Sequence, residues 1–164
     1  MRMMTSSKMS RESFMRLAIA EARKNIRHAK GGPFGACLVR QGQVLAVARN
    51  TVLKTDATCH AEINAIRQAS RRIGTYDLSG CEIFSTTEPC PMCFAAIHWA
   101  RIKTVYFGTR IRDVEKLGFN ELTVSARVMK NRGRSPVRIM PGLLKNECRA
   151  LLDEWAHRSD RSVY

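Results

Sequence analysis

Hydrophobic side chains recur at helical spacing near the start of the chain, between residues 10 and 30. Ser10 is suited to cap this predicted helix, and the Gly-Gly-Pro run at 31–33 ends it. Residues 34–40 and 44–50 are apolar segments on either side of the turn sequence QGQ, so they predict a β-hairpin. The apolar positions of the first helix are Phe14, Leu17, Ala18, Ala22 and Ile26.

The rest of the chain alternates between helix and strand patterns. The predicted elements are a helix at 59–73, a strand at 81–86, a helix at 91–101, a strand at 103–109, a partly helical segment at 111–134, a strand at 136–140 and an amphipathic helix at 143–158. This order, α-β-β-α-β-α-β-(α)-β-α, predicts an α/β fold in which helices cover both faces of a partly parallel sheet.

Composition limits the number of domains and the setting. A chain of 164 residues with 45% hydrophobic content is sufficient for one packed core, and we expect a single domain over 1–164, with 1–9 flexible and 156–164 forming a tail. The longest apolar runs are too short to span a bilayer. The basic, Met-rich start has the features of neither a signal peptide nor a membrane anchor, so we expect a cytoplasmic protein.

The formal charge of +14 and the isoelectric point near 10.2 have two interpretations. One is a polyanionic partner such as RNA, and the other is a basic surface that keeps the protein soluble. The basic residues are distributed over the first helix, over 68–74 and over 126–138, and do not form one block. A nucleic-acid partner therefore stays open but is not favoured by charge alone.

The six cysteines lie mostly inside apolar segments, which favours reduced thiols over a disulfide framework. Cys90 and Cys93 stand three apart at the start of one predicted helix, and His60 begins another. Thiolate and imidazole are the ligands that zinc prefers, and the positive ends of two helix dipoles favour the thiolates. The sequence context around Cys90 lacks the pattern typical of thioredoxin-like redox pairs, so we expect a zinc site.

This set supplies three ligands and no obvious fourth. A structural zinc site is normally closed by four protein ligands, whereas a catalytic site keeps one position for water. Glu62 stands two residues after His60 and is not needed as a ligand, so its carboxylate is a candidate proton carrier. The pattern therefore predicts catalytic zinc.

The motif H-A-E at 60–62 together with P-C-P-M-C at 89–93 resembles the signature of the zinc deaminases. From about residue 10 onward the chain resembles the cytidine deaminase superfamily. That resemblance implies a three-layer α-β-α sandwich with a five-stranded mixed sheet. It also implies one Zn²⁺ on His60, Cys90 and Cys93, a proton shuttle at Glu62, and main-chain contacts to the substrate from Ala61 and Glu88.

Within this superfamily, the stretches at 31–36, 87–101, 113–119 and 142–155 resemble bacterial guanine deaminases. The resemblance implies a second acid at Glu121 and a homodimer. It also implies a C-terminal tail that closes over an active site, either that of its own chain or that of the neighbouring subunit. The residues it places around the base are Asn50, Phe34, Trp99 and Tyr164. Each has a plainer alternative, because Asn50 could end a strand, Phe34 and Trp99 could be core residues, and Tyr164 could fray.

We therefore predict the deamination of guanine to xanthine and ammonia, with a nucleobase as the small-molecule substrate. One alternative is a tRNA-specific adenosine deaminase, although the segment after "YFG" lacks the Gly/Ala-rich sequence expected of that branch. Another is a deaminase of cytosine, guanosine or an aminotriazine. The non-enzymatic alternative is a zinc-stabilised RNA-binding module. The presence of Glu62 argues against it, because a binding module does not need a proton carrier.

Overall fold

The computed structural model describes residues 9–28 and 31–164. Its helices are α1 (Arg11–His28), α2 (Ala61–Ile73), α3 (Pro91–Trp99), α4 (Ile111–Glu115), α5 (Ala126–Gly133) and α6 (Lys145–Ala156). Its strands are β1 (Gly35–Arg40), β2 (Gln43–Arg49), β3 (Cys81–Thr87), β4 (Thr104–Thr109) and β5 (Arg138–Pro141). Apart from Met9, the prediction for 1–9 falls outside the described residues.

The predicted element order is confirmed, and the differences are local. The mixed segment 111–134 forms two short helices, α4 and α5, and the polar loop after β2 contains a 3₁₀ turn at Val52–Lys54. Asp113 lies in the first turn of α4 and helps to cap it, since its carboxylate accepts a hydrogen bond from the Arg110 N–H at 2.9 Å. None of the described helices has the length and apolar character needed to cross a bilayer.

The five strands form one mixed sheet in the order β2-β1-β3-β4-β5. Strand β1 pairs antiparallel with both β2 and β3, whereas the pairs β3–β4 and β4–β5 are parallel. Ile83 in β3 lies opposite Leu38 of β1 and Val105 of β4, so apolar residues line up across the centre of the sheet. This confirms the predicted five-stranded mixed sheet.

Consecutive side chains of these strands point to opposite faces and form two cores. Leu38, Ile83 and Val105 pack in a cluster with residues of α2, α3 and α5. On the other face, Phe84 and Tyr106 pack against α1 and the start of α6. The result is the three-layer α-β-α sandwich that the resemblance implies.

The functional side chains lie at one edge of this sheet. Parallel strands β3 and β4 end there side by side, and the Thr87 and Thr109 hydroxyls share a hydrogen bond of 2.8 Å. The chain leaves β3 into the loop that carries Cys90 and enters α3, and it leaves β4 into α4. Because both strands run in the same direction, both of these loops meet at one end of the molecule.

Candidate metal centre and substrate pocket

His60, Cys90 and Cys93 converge at this edge. Their ligand atoms all lie within 4.8 Å of one another, and His60 Nδ1 lies 3.7 Å from Cys90 Sγ and 3.6 Å from Cys93 Sγ. A tetrahedral zinc at about 2.3 Å from sulfur and about 2.0 Å from nitrogen requires sulfur and nitrogen about 3.6 Å apart. The three side chains therefore fit zinc without rearrangement.

The local sequence explains why these ligands meet. His60 and Cys90 are the N-cap residues of α2 and α3, each in an extended backbone conformation. Pro91 occupies the first position of α3, where its fixed φ suits a helix start and its missing N–H is no loss. Cys93 follows within the first turn, so both sulfurs lie at the positive end of the helix dipole, as predicted.

The protonation chemistry of the metal-free cluster favours thiolate at one position. Hydrogen bonding from Cys93, with a further contribution from His60, lowers the pKa of the Cys90 thiol to about 4. The neighbouring Cys93 thiol has its pKa raised, because it gives its hydrogen bond to Cys90 and because it is buried. One ligand is thus already anionic at neutral pH, and zinc binding displaces the proton of the second thiol together with any proton that His60 carries, since the pKa of His60 is raised in the metal-free cluster.

Glu62 lies beside the ligands and is almost fully buried, with 6% of its surface exposed. Its Oε1 accepts a hydrogen bond from the Ser85 hydroxyl at 2.9 Å, and its Oε2 lies 3.5 Å from Cys93 Sγ. Burial raises the pKa of this carboxyl above its ordinary value. A carboxyl group held against a metal ligand, with a raised pKa, is suited to accept a proton and to return it.

Glu121 reaches the same pocket from the loop between α4 and α5. It lines the pocket together with His60, Glu62 and Cys90. Burial, and then the negative charge of Cys90, raise the pKa of Glu121 to about 7. The structure thus brings the two predicted carboxylates together at one pocket, and the second one can be protonated or ionised at neutral pH.

Asn50 and Tyr164 meet beside this pocket. Asn50 is fully buried, and its Oδ1 accepts from the Val52 N–H at 3.2 Å. Tyr164 lies over its own chain's site, lining an outer pocket with His60, Cys90 and Glu121. The Asn50 Nδ2 and the Tyr164 hydroxyl are neighbours close enough for Asn50 to affect the Tyr164 phenol, but within the described part of the chain neither atom makes a hydrogen bond of normal geometry. Burial raises the pKa of the Tyr164 phenol.

The route of the tail to the pocket depends on Gly32 and on an aromatic cluster. A Cβ atom at Gly32 would lie 2.5 Å from the Phe34 ring and 2.7 Å from the Tyr164 hydroxyl, so a larger residue there would force one or both of these side chains to move. The ring of Phe119 contacts the rings of both Phe34 and Tyr164 at centroid distances of 5.2 Å. Phe34 itself is half-buried and lines the inner pocket.

Three other predicted contacts differ in their placement. Ala61 begins α2 directly after His60, where first-turn N–H groups have no partner within the helix. The Glu88 N–H is occupied by the Thr109 carbonyl at 2.8 Å, so it is not free for a substrate. Trp99 is not in the pocket, because it ends α3 on the far side, is 78% exposed, and lines a separate groove with Tyr76.

Sequence reasoning missed two supporting residues. Ser85 orients Glu62, and Asn25 on α1 donates from Nδ2 to the carbonyls of Gly32 at 3.0 Å and Asn50 at 2.8 Å. Each is a polar residue within a buried apolar pattern, Ser85 in strand β3 and Asn25 on the inner face of α1. Such an exception is the signal that could have identified them, because a buried polar group requires a partner.

Comparison with known proteins agrees with this geometry. The model of the cytidine and deoxycytidylate deaminase zinc-binding region matches residues 8–109. A guanine deaminase of Bacillus subtilis is 40% identical over 114 residues, 69% of this chain and 73% of that protein. A tRNA-specific adenosine deaminase of Aquifex aeolicus is 40% identical over 100 residues, 60% of this chain and 66% of that protein. The solved structure of a guanine deaminase from Nitrosomonas europaea has a TM-score of 0.83 and 31% identity, covering 91% of this chain and 86% of that chain.

Proposed function

This chain belongs to the deaminase family defined by the cytidine and deoxycytidylate deaminase zinc-binding region, and we propose that its substrate is guanine. Family membership and the His60, Cys90 and Cys93 cluster make it a zinc-dependent hydrolytic deaminase. The proposed reaction takes guanine and water to xanthine and ammonia, a step of purine metabolism. The likeness to guanine deaminases in both sequence and structure supports this substrate.

The observation that carries the proposal is the meeting of Glu62 and Glu121 with the metal ligands His60 and Cys90 at one pocket. Two buried polar atoms beside this pocket, Asn50 Nδ2 and the Tyr164 hydroxyl, support a polar substrate. A buried amide or hydroxyl without a well-formed hydrogen bond costs about 1–3 kcal/mol, so a ligand that bonded both atoms would recover this free energy. The Asn50 amide can donate to a ring nitrogen or carbonyl of a purine, and the Tyr164 hydroxyl can donate or accept. A flat heterocycle with polar atoms around its edge satisfies both.

The carboxylates account for the proton transfers. Bound zinc supplies a nucleophile at neutral pH, because it lowers the pKa of a water molecule to about 7. Glu62 accepts the proton of the attacking water and passes it to a ring nitrogen next to the amino-bearing carbon. Ser85 holds Oε1 of Glu62, which leaves Oε2 on the side of the metal ligands. Glu62 then takes the proton of the hydroxyl group added to that carbon and, together with Glu121, delivers it to the leaving amino group. The C–N bond breaks, the xanthine carbonyl forms and ammonia departs.

Pocket shape supports a free base over a base within a long nucleic acid. Phe34 provides an apolar wall against which a purine can stack, and Tyr164 covers the metal ligands from outside. With the tail in this position the outer approach to His60 and Cys90 is narrowed by Phe119 and Tyr164. A tRNA strand would need this approach open, whereas a free base can be enclosed.

The test is ammonia release by the zinc-loaded protein from a panel of guanine, guanosine, adenine, cytosine and an aminotriazine. We expect guanine to have the highest kcat/KM and xanthine to be its product. Turnover of another compound in preference to guanine would change the substrate, and one zinc per chain without turnover of any deaminase substrate would support a binding module.

Editing of tRNA adenosine is the second candidate. The charge of +14 and the resemblance to tRNA-specific adenosine deaminases favour it. The protein should then convert adenosine to inosine in a tRNA anticodon stem-loop, a product that nuclease digestion and chromatography detect. We expect at most weak, salt-sensitive binding of tRNA and no inosine.

We further propose that the protein is a homodimer. Several large apolar side chains on or near α3 and α5 are exposed, which is typical of an interaction surface. They are Trp99, Leu122, Val124 and Val128. Light scattering on a size-exclusion column should give twice the chain mass of 18.5 kDa, and a single-chain mass would contradict the proposal.

A further inference from the structure

The side chain of Glu88 is a buried carboxylate that the proposed reaction does not use. Only 6% of the residue is exposed. Its Oε1 accepts a hydrogen bond from the Ala126 N–H at 3.0 Å, and its Oε2 accepts one from the Ile111 N–H at 3.3 Å. Both partners are backbone groups, so the carboxylate is committed to holding chain segments in place.

The two N–H donors lie at the two ends of one chain segment, residues 111–126. Ile111 is the first residue of α4, and Ala126 is the first residue of α5. First-turn N–H groups have no partner within their helix, so a carboxylate satisfies donors that would otherwise be buried without a bond. Glu121 lies between these two anchor points, on the loop that joins α4 to α5.

Glu88 is also close in sequence to the metal centre. Glu88 stands two residues before Cys90, in the short loop between β3 and α3. Its own N–H donates to the Thr109 carbonyl at 2.8 Å, which fixes this loop to the end of β4. A single residue therefore ties the loop that carries a metal ligand to both ends of the segment that carries the second carboxylate.

We propose that Glu88 is a positioning residue, whose carboxylate pins both ends of segment 111–126 and thereby sets the position of Glu121 relative to the metal ligands. The proposal rests on the proposed function, in which Glu121 transfers a proton at this pocket. Proton transfer requires hydrogen-bond distances, and a misplacement of about 1 Å can cost on the order of 100-fold in rate.

The chemistry of the carboxylate suggests a nearly isosteric test. Glu88→Gln keeps the shape of the side chain but replaces one acceptor oxygen by an NH₂ group. That NH₂ would face a backbone N–H, so one of the two anchors is lost and two donors oppose each other. We expect kcat/KM on guanine to fall by about 10- to 100-fold, with one zinc per chain retained.

A double-mutant cycle separates positioning from general destabilisation. The four proteins are the unchanged chain, Glu88→Gln, Glu121→Gln and the double variant. Because Glu88 acts through Glu121, the loss caused by Glu88→Gln should largely disappear when Glu121 is already Gln. An equal loss in both backgrounds would show that Glu88 only stabilises the fold and would overturn the proposal.

Asp113→Asn is the matched control. Asp113 is another carboxylate that accepts from a backbone N–H beside α4, but it bonds only Arg110 and carries an exposed ion pair with Arg149. This variant should keep the original kcat/KM. If it lost as much activity as Glu88→Gln, any disturbance of α4 would suffice, and the specific role of Glu88 would be refuted.

Hydrogen exchange tests the anchoring without relying on any substrate. Glu88→Gln should speed amide exchange in 111–126 and leave α2 unchanged, and unchanged exchange in 111–126 would overturn the proposal. Glu88→Asp, which keeps both oxygens but is shorter, gives the same readout if the Gln variant folds poorly. Failure of the proposed function would look different from failure of this proposal. In that case the protein without substitutions would not turn over guanine, or Glu121→Gln would leave kcat unchanged.

Discussion

Replacing Tyr164 by Phe should change activity and stability in opposite directions. The Tyr164 hydroxyl is buried and, among the residues that the structure describes, has no hydrogen-bond partner. Keeping such a group buried costs about 1–3 kcal/mol in the unliganded protein. Its removal should therefore leave the tail docked at least as firmly, because the ring contact with Phe119 at 5.2 Å is retained.

The effect on catalysis follows from the hydrogen bond that we propose between the hydroxyl and guanine. A hydrogen bond is worth a net 0.5–1.5 kcal/mol, so kcat/KM for guanine should fall by about 2- to 13-fold. Ammonia release gives kcat/KM, and thermal unfolding gives the stability. Docking of the tail is followed by hydrogen exchange at the Asn120 amide, which donates to the Tyr164 carbonyl at 3.0 Å.

Tyr76→Phe serves as the control, since Tyr76 is 66% exposed and lies in the separate groove beside Trp99. It should alter neither the rate nor the melting temperature. The reasoning would be refuted if Tyr164→Phe retained the original kcat/KM. It would also be refuted if the rate fell together with the melting temperature and with protection of Asn120, because the hydroxyl would then support the structure and not the substrate.

Three further predictions concern the metal centre and the tail. Glu62→Gln should retain one zinc and the original melting temperature but lose about 10²- to 10⁴-fold in kcat, and undiminished turnover would exclude Glu62 as the proton carrier. Removal of zinc should make Cys90 react with iodoacetamide even at pH 6, because a pKa of about 4 keeps the thiol ionised. Equal labelling of Cys90 with and without zinc would contradict its assignment as a ligand. Mixing the Glu62→Gln variant with a variant that lacks residues 159–164 should restore no activity, because Tyr164 covers the site of its own chain. Recovered activity would show that the tails are exchanged between subunits.

Much of the fold and the metal centre could be predicted from local sequence. The alternation of apolar segments gave the element order, and the short spacing between Cys90 and Cys93 places both sulfurs on one helix turn wherever the helix lies. His60 could be added because it begins a second helix, and the ligand motif is specific. These inferences depend on short-range geometry, which the sequence determines directly.

The placement of Trp99 could not be predicted in the same way. Helix α3 is short and apolar on nearly every side, so its periodicity does not indicate which face meets the sheet. Phe94 and Ile97 take the buried positions, and Trp99 is left outside. The expectation that Trp99 contacts the base came from resemblance alone, and within one chain the structure places it elsewhere.

The two short helices after β4 show a second limit. Segment 111–134 has a mixed pattern, and its course is set by a tertiary contact, the Glu88 carboxylate, which sequence spacing does not reveal. The docking of Tyr164 likewise depends on the space left at Gly32 and on the ring of Phe119. Such contacts join residues far apart in the chain.

The double hydrogen bond of Asn25 has a practical consequence for engineering the substrate range. Its amide joins α1 to the carbonyls of Gly32 and Asn50, so the segments that lead to two pocket walls, at Phe34 and at Val52, share one support on α1. A library that randomises Asn25 would disturb both walls at once and yield mostly inactive variants. Phe34 lines the pocket through ring contacts and makes no side-chain hydrogen bond, so it is the position from which a new specificity could be selected.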